Sequence, residues 1–260
     1  MSAKHIIYCD CGGERITNEA KEAVGKALHI ARAKVTVLSD LCGIAAGNND
    51  KLAGLVDGAD ETLVIGCYKR SMDLIFEQAI ETGTVKAAGH INLLEETIQS
   101  AIQKIEAFSA GSAETLDFKE IREDSAWPSW YPVIDTARCT NCGQCADFCL
   151  FGVYEKAEAY PEVINPQACK NNCPACARIC PSAAIIFPKY IHGGAIGGSD
   201  EIDEKAEQER QARDIENILG DDLYEALERR RARRKSIIRE EAMMKAMAER
   251  DKALGISSKN

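Results

Sequence analysis

Eight cysteines fall within the 42 residues from Cys139 to Cys180, and the other four of the twelve lie among the first 67. Few folds suit such a chain, because each tight run must wrap backbone around something that its sulfurs share. The first run, "CTNCGQCADFC", places Cys139, Cys142, Cys145 and Cys149 at the spacing C-x2-C-x2-C-x3-C. Three thiolates from one short loop can cap three irons of a cubane, and the fourth iron then needs a sulfur from elsewhere. The second run, "CKNNCPACARIC", supplies Cys169, Cys173, Cys176 and Cys180, with one extra residue between its first two cysteines. "VIDTARC" at 133–139 also matches "VINPQAC" at 163–169. The repeat predicts two similar halves around a local twofold axis.

Two other uses of so many cysteines compete with this one. The sequence shows no apolar run of roughly 18 residues for a membrane span, and "MSAKHIIYCDC" lacks the charged start and apolar stretch of a secretory signal. A cytoplasmic location is therefore expected, where thiols stay reduced and metal ligation is favoured over disulfides. Zinc sites made of four cysteines usually show C-x2-C pairs separated by a longer spacer, whereas here four cysteines crowd into 11 residues. A segment of about 60 residues is marginal without staples, so the metal must at least be structural. A net charge of -9 argues against general nucleic-acid binding, which needs a basic face.

The remaining pattern divides the chain. From residue 4 to about 108, short apolar runs alternate with helix-like segments: "HIIYC", "KVTVLS", "ETLVIGC" and "VKAAGHINL" read as strands. "NEAKEAVGKALHIA", "NNDKLAGLVDGA", "SMDLIFEQAIETG" and "LEETIQSAIQKIEAF" read as helices. Four strand–helix units predict an α/β domain over 1–108 with a mostly parallel sheet. Gly, Ser and charge then replace periodic apolar residues, which predicts a linker over 109–126. The cysteine-rich α+β segment occupies 127–190. Residues 191–260 are read as a Gly-rich linker followed by a charged helical tail.

In that tail, Leu223, Leu227, Ile237, Ile238, Met243, Met244 and Met247, with "RRRARRK", could serve a docking arm; a solvated helix is the plainer reading. "GGAIGGSDE" at 193–201 lacks the G-x-G-x-x-G spacing of a dinucleotide loop and is expected to be flexible. No flavin or nicotinamide site is detected. His5, His29, His90 and His192 do not cluster in sequence, and no residue is required as a catalytic acid, base or nucleophile.

Residues 127–188 resemble the two-cluster 4Fe-4S ferredoxin family of bacterial type. The resemblance implies an α+β ferredoxin-like fold with two 4Fe-4S clusters. One would be held by Cys139, Cys142, Cys145 and Cys180, the other by Cys169, Cys173, Cys176 and Cys149. Leu150 departs from the proline usual after the fourth cysteine, whereas Pro181 keeps it. The longer Cys169–Cys173 interval also matches the C-x3-C-x2-C spacing of radical S-adenosylmethionine enzymes. Those enzymes resemble β/α barrels lying mostly after the motif, and only charged helix follows here.

Cys9, Cys11, Cys42 and Cys67 all fall at the carboxyl ends of predicted parallel strands, the edge where open α/β sheets bind ligands. A third iron–sulfur cluster, a redox dithiol or sulfur-handling site, and ordinary packing of small apolar side chains remain the three readings. "YCDCGG", "VLSDLCG", "LVIGCYKRSMDLIFEQAIETG" and "GHINLLEE" resemble the N-terminal region of the flavin-bearing component of heterodisulfide reductase. That resemblance implies an additional 4Fe-4S cluster in these loops. The chain departs from the family where a flavin domain would follow.

These readings converge on an iron–sulfur electron-transfer protein, a ferredoxin-like subunit of a heterodisulfide-reductase-like or other redox complex, rather than an enzyme on its own. Its expected partners are redox proteins within a larger flavin or metal oxidoreductase, with no nucleic acid and no membrane span. A small oxidoreductase acting on thiols, disulfides or sulfur substrates at the N-terminal cysteines is the alternative. A scaffold factor docking through the C-terminal helix is another.

Overall fold

The computed structural model describes residues 3–219 apart from 48–49, 56–59, 81–84, 86, 111–116 and 123–126. It contains one five-stranded sheet, all of whose neighbours run parallel, built from β1 (Lys4–Cys9), β2 (Lys34–Leu38), β3 (Glu61–Gly66), β4 (Ala87–Asn92) and β5 (Asp117–Ile121). The strand order is β4-β3-β1-β2-β5. Central β1 and β3 are apolar on both faces, as a sheet covered on both sides requires.

Helices α1 (Asn18–Ile30) and α5 (Ile98–Ser109) cover one face; α2 (Leu41–Gly47), the single turn α3 (Asp50–Ala53) and α4 (Lys69–Ala79) lie on the other. The sequence dictates these faces. Ala20, Val24, Ala27 and Leu28 form the buried stripe of α1, and Thr17 caps its start by accepting from Ala20 N at 3.2 Å. Met72, Ile75, Phe76 and Ala79 do the same for α4.

The expected linker over 109–126 is corrected by β5, which pairs along its whole length with β2. Four of its five residues are exposed, so a polar edge strand left no apolar alternation to read. Phe118 anchors it against His29, with ring centroids 4.7 Å apart.

Beyond residue 127 come β6 (Val133–Ile134), α6 (Gln144–Phe148), β7 (Tyr154–Glu155), β8 (Glu162–Val163), a 3-10 turn (Pro166–Ala168), α7 (Ala175–Arg178) and β9 (Ile185–Ile186). Strand β6 pairs antiparallel with β9, and β7 with β8. Exchanging the two sequence halves maps one pair onto the other. Val133 and Ile186 join the core on the α2 and α4 side of the sheet, while Ile185 joins a separate core with Trp130, Cys176 and Cys180.

Residues Met1–Gln208 form one compact unit and Glu209–Asn260 a second. Helix α8 (Glu204–Leu219) is the C-terminal helix of the described chain. The tail residues Leu223 to Met247 read as a docking arm lie outside the described residues.

The Gly-rich stretch is also corrected, because residues 195–198 are buried rather than free. Phe187 N donates to Ile196 O at 2.6 Å, and Ser71 Oγ donates to Gly198 O at 3.2 Å. A Cβ on Gly197 would stand 2.7 Å from the backbone of Gly193, and one on Gly198 would stand 1.9 Å from Ser71 Oγ. Close backbone approach and linker flexibility both call for glycine, so composition could not separate them. Gly198→Ala, at φ +80, is expected to destabilise the fold by about 3 kcal/mol. Thermal melting beside the wild type measures this; an unchanged midpoint would show that the clasp contributes nothing.

His5 is buried, with Nε2 2.8 Å from Thr36 Oγ1. Burial, followed by the nearby Lys34 charge, pulls its pKa down to about 4. The unfolded chain therefore takes up a proton below pH 6.5 that the folded chain refuses. Stability is full above 6.5 and falls as pH drops toward 4, by about 2 kcal/mol between pH 7 and 5. Urea unfolding of the wild type and His5→Leu at both values should show the slope only in the wild type.

Candidate metal centres

The two cysteine runs adopt related backbone shapes. Asn141 (φ 52) and Asn172 (φ 59) each occupy the left-handed region immediately before the second cysteine of a run. Gly152 (φ 67) and Ala183 (φ 48) do so three residues after the last cysteine of each. Asparagine and glycine tolerate this conformation, while alanine carries strain of about 1–2 kcal/mol there. The extra residue of the second run is thus absorbed between Cys169 and Asn172.

Cys139, Cys142, Cys145 and Cys180 line one pocket, closed by Ile134, Pro161 and Ile185. Three of these thiols come from the first run and one from the second. Ala184 N donates to Cys180 Sγ at 3.3 Å. Burial pushes the Cys145 thiol up to about 11, and its neighbours Cys180, Cys139 and Cys142 add to the shift.

The reciprocal set also meets. Burial pushes Cys169 up to about 12, with Cys173 and Cys149 adding to it. Cys176 is raised to about 12 by burial, against the pull of the Tyr154 hydroxyl, which donates to its Sγ at 3.1 Å. Cys149 of the first run therefore stands with three thiols of the second.

The third group gathers where the chain reverses direction across the sheet. β1 leads to β2 on one side, the chain then crosses to β3 on the other, and ligands bind at such switch points beyond the strand carboxyl ends. Cys9 ends β1, Cys11 follows it, Cys42 lies in the first turn of α2 and Cys67 follows β3. Cys9 and Cys42 are buried in one core, and Cys11 and Cys67 pack against it. Burial raises the Cys9 thiol, and the neighbouring Cys11, Asp40, Cys67 and Cys42 raise it further. Leu41 N donates to Cys9 Sγ at 3.5 Å and Gly13 N to Cys11 Sγ at 3.2 Å.

All twelve cysteines are free thiols. Among the described residues, no three His, Cys, Asp or Glu side chains converge on a point fit for one metal ion. A cluster asks for another geometry, since each of its irons takes a single thiolate and the four sulfurs stand apart around a bulky core. Three groups of four buried thiols fit that donor set. Burial and mutual repulsion hold such thiols protonated, and only a strongly positive centre would make ionising all four favourable.

Two buried ion pairs join the sheet to the cysteine-rich segment. Arg70 donates to Asp135 Oδ2 from Nε at 3.0 Å and from Nη2 at 2.8 Å. Lys189 Nζ stands 2.5 Å from Asp40 Oδ2 and donates to Pro128 O at 2.9 Å. Arg70 is visible in the sequence as the end of the motif that starts at Cys67. Nothing in the sequence around Lys189 marks it. Beside Cys11 a cleft of about 740 Å³ opens, walled by Gly12, Gly13, Asp40, Trp127, Asn172 and Lys189.

The histidines take no part in these groups. His90 lies on β4, with Lys69, Asp73 and Asp200 as its charged neighbours, and His192 meets Tyr190 edge-on at 5.2 Å. No helix among the described residues is long and apolar enough to cross a membrane.

Residues 132–152 match the family model for a 4Fe-4S binding domain. An uncharacterized ferredoxin of Methanocaldococcus jannaschii is 48% identical over 61 residues, which span 23% of this chain and 42% of that protein. The chain thus covers less than half the length of this relative. No solved structure matches. The motif, the gathered thiols and these matches together identify a ferredoxin-like iron–sulfur segment and a role in iron–sulfur or redox function.

Proposed function

We propose that the protein relays single electrons through two 4Fe-4S clusters, one on Cys139, Cys142, Cys145 and Cys180, the other on Cys169, Cys173, Cys176 and Cys149. A third cluster is proposed on Cys9, Cys11, Cys42 and Cys67. The observation that carries the reading is the pocket lined by three thiols of one run and Cys180 of the other. When bound, each cluster accepts and releases one electron at a potential set by charge, hydrogen bonds and exposure.

The chain's own residues then have defined tasks. Tyr154 aims a hydroxyl at Cys176, while backbone N–H groups of Gly13, Leu41 and Ala184 aim at Cys11, Cys9 and Cys180. Donors to sulfur stabilise added negative charge and so favour reduction. The Arg70–Asp135 and Lys189–Asp40 pairs hold the sheet edge against the cysteine-rich segment, keeping the thiol groups at fixed separations. The partner is proposed to be a larger flavin or metal oxidoreductase, such as a heterodisulfide-reductase-like complex, which performs the substrate chemistry.

The cleft beside Cys11 favours a second reading, a small oxidoreductase acting there on a thiol, disulfide or sulfur compound. Anaerobic reduced protein mixed with cystine, glutathione disulfide or polysulfide decides between them. The carrier reading expects no catalytic turnover in isolation. Sustained turnover that Cys11→Ser abolishes would establish the alternative.

A further inference from the structure

Four large apolar side chains lie in solvent around Cys149: Phe148 is 46% exposed, Leu150 90%, Phe151 44% and Ile164 56%. A soluble chain rarely leaves so many together without a use. They are neighbours in space as well as in sequence. Phe148, Leu150 and Phe151 lead into β7, and Ile164 N donates to Val153 O at 3.0 Å, extending the β7–β8 pairing by one step.

The charges beside them are arranged against the stability of the free chain. Glu155 and Glu162 stand directly opposite each other in the antiparallel β7–β8 pair, both exposed. Like charges so placed repel. Side chains alternate along a strand, so Glu162 and Ile164 share one face. Glu158 is exposed in the turn between the strands. Lys156, which could neutralise these carboxylates, instead pairs with Asp147 at 2.6 Å. The next basic residue along the chain is Lys170.

We infer that this face is the docking surface for a one-electron redox protein whose contact area is apolar at the centre and basic at the rim. The inference deepens the electron-transfer reading and rests on it. Leu150 and the two phenylalanines would meet the partner's apolar centre. Glu155, Glu158 and Glu162 would meet its basic rim, relieving the cross-strand repulsion. Cys149 lies within the patch, so one electron would leave through the group of thiols to which it belongs. No proton or chemical group moves: the chain loses one electron and the acceptor gains it.

A basic c-type cytochrome in its ferric state serves as the probe, mixed anaerobically by stopped flow with full-length protein reduced by dithionite and freed of excess reductant. The rate of haem reduction is expected to fall steeply as salt rises. Glu155→Gln with Glu162→Gln should slow the reaction at least about fivefold at low salt and flatten its salt dependence. Leu150→Asn should slow it severalfold at every salt concentration. Iron content should remain at the wild-type level in both variants. A carbodiimide cross-link to the cytochrome should map to Glu155, Glu158 or Glu162, which gives a readout independent of variant folding.

Unchanged rates in both variants at full iron content, or cross-links only to other carboxylates, would overturn the docking surface and leave the electron-transfer reading intact. Protein that holds no reducible iron would instead sink that reading itself, and this inference with it.

Discussion

Cys180→Ser is expected to remove the iron of the first cysteine run, although 30 residues separate Cys149 from Cys180 in sequence. Serine keeps the shape of the side chain but supplies a poor ligand for iron. The pocket made by Cys139, Cys142, Cys145 and Cys180 would lose its fourth thiolate. Anaerobic iron analysis should fall by about four per chain, and the signal of one cluster should vanish from the reduced spectrum. A three-iron remnant would alter the signal and lower the loss to about one iron. Cys149→Ser should damage the other cluster in the same way. If Cys180→Ser instead spares Cys139, Cys142 and Cys145 and disturbs only the second run, the ligand sets are not crossed.

Arg70→Met is expected to destabilise the fold by about 3–5 kcal/mol, because it leaves the Asp135 carboxylate buried without its countercharge. The side chains of Arg70 and Asp135 are only 13% and 10% exposed. Arg70 also donates its backbone N–H to Asp200 Oδ1, 2.7 Å away, and its Nη2 reaches Ala183 O at 3.4 Å. One residue thus ties α4 to β6, to the turn after Cys180 and to the segment that follows the buried glycines. Chemical unfolding of Arg70→Met should show the loss, and Arg70→Met with Asp135→Leu should recover much of it, since the stranded charge is then gone. A double variant no better than the single would mean that packing, not charge, dominates at this position.

Much of this arrangement is legible in the sequence because it rests on local pattern. Consecutive apolar residues in "HIIYC" and "ETLVIGC" mark central parallel strands, and cysteines at their ends mark the sheet edge. Matching "VIDTARC" with "VINPQAC" anticipates a pairing of strands that exchange of halves preserves. Strand β5 escapes because Asp117, Phe118, Lys119 and Glu120 show solvent a nearly polar face, and hydrogen bonding to β2 leaves no trace in hydropathy. The clasp at residues 195–198 escapes because the need for bare backbone against Ser71 arises only once both segments are in space. For the same reason Lys189 could not be matched with Asp40, 149 residues away. Long-range polar contacts depend on where the chain has already been folded, whereas periodicity depends on nearest neighbours.

The N-terminal thiols show both sides of this. Their placement at one edge follows from strand order, yet Cys42 belongs to a helix, α2, whose seven residues are too few to show a periodic stripe. The turn of α2 carries Cys42 into the core with Cys9. The charges around it, Asp40 and Lys189, come from distant parts of the chain.

The central claim is that sulfur is gathered here to hold iron. Iron and sulfide analysis of protein purified without oxygen, joined to paramagnetic resonance after dithionite, tests it most directly. The account predicts brown protein with about twelve irons per chain, falling to about eight in Cys67→Ser, and resonances from reduced clusters. Colourless protein carrying zinc, with no resonance after reduction, would contradict it.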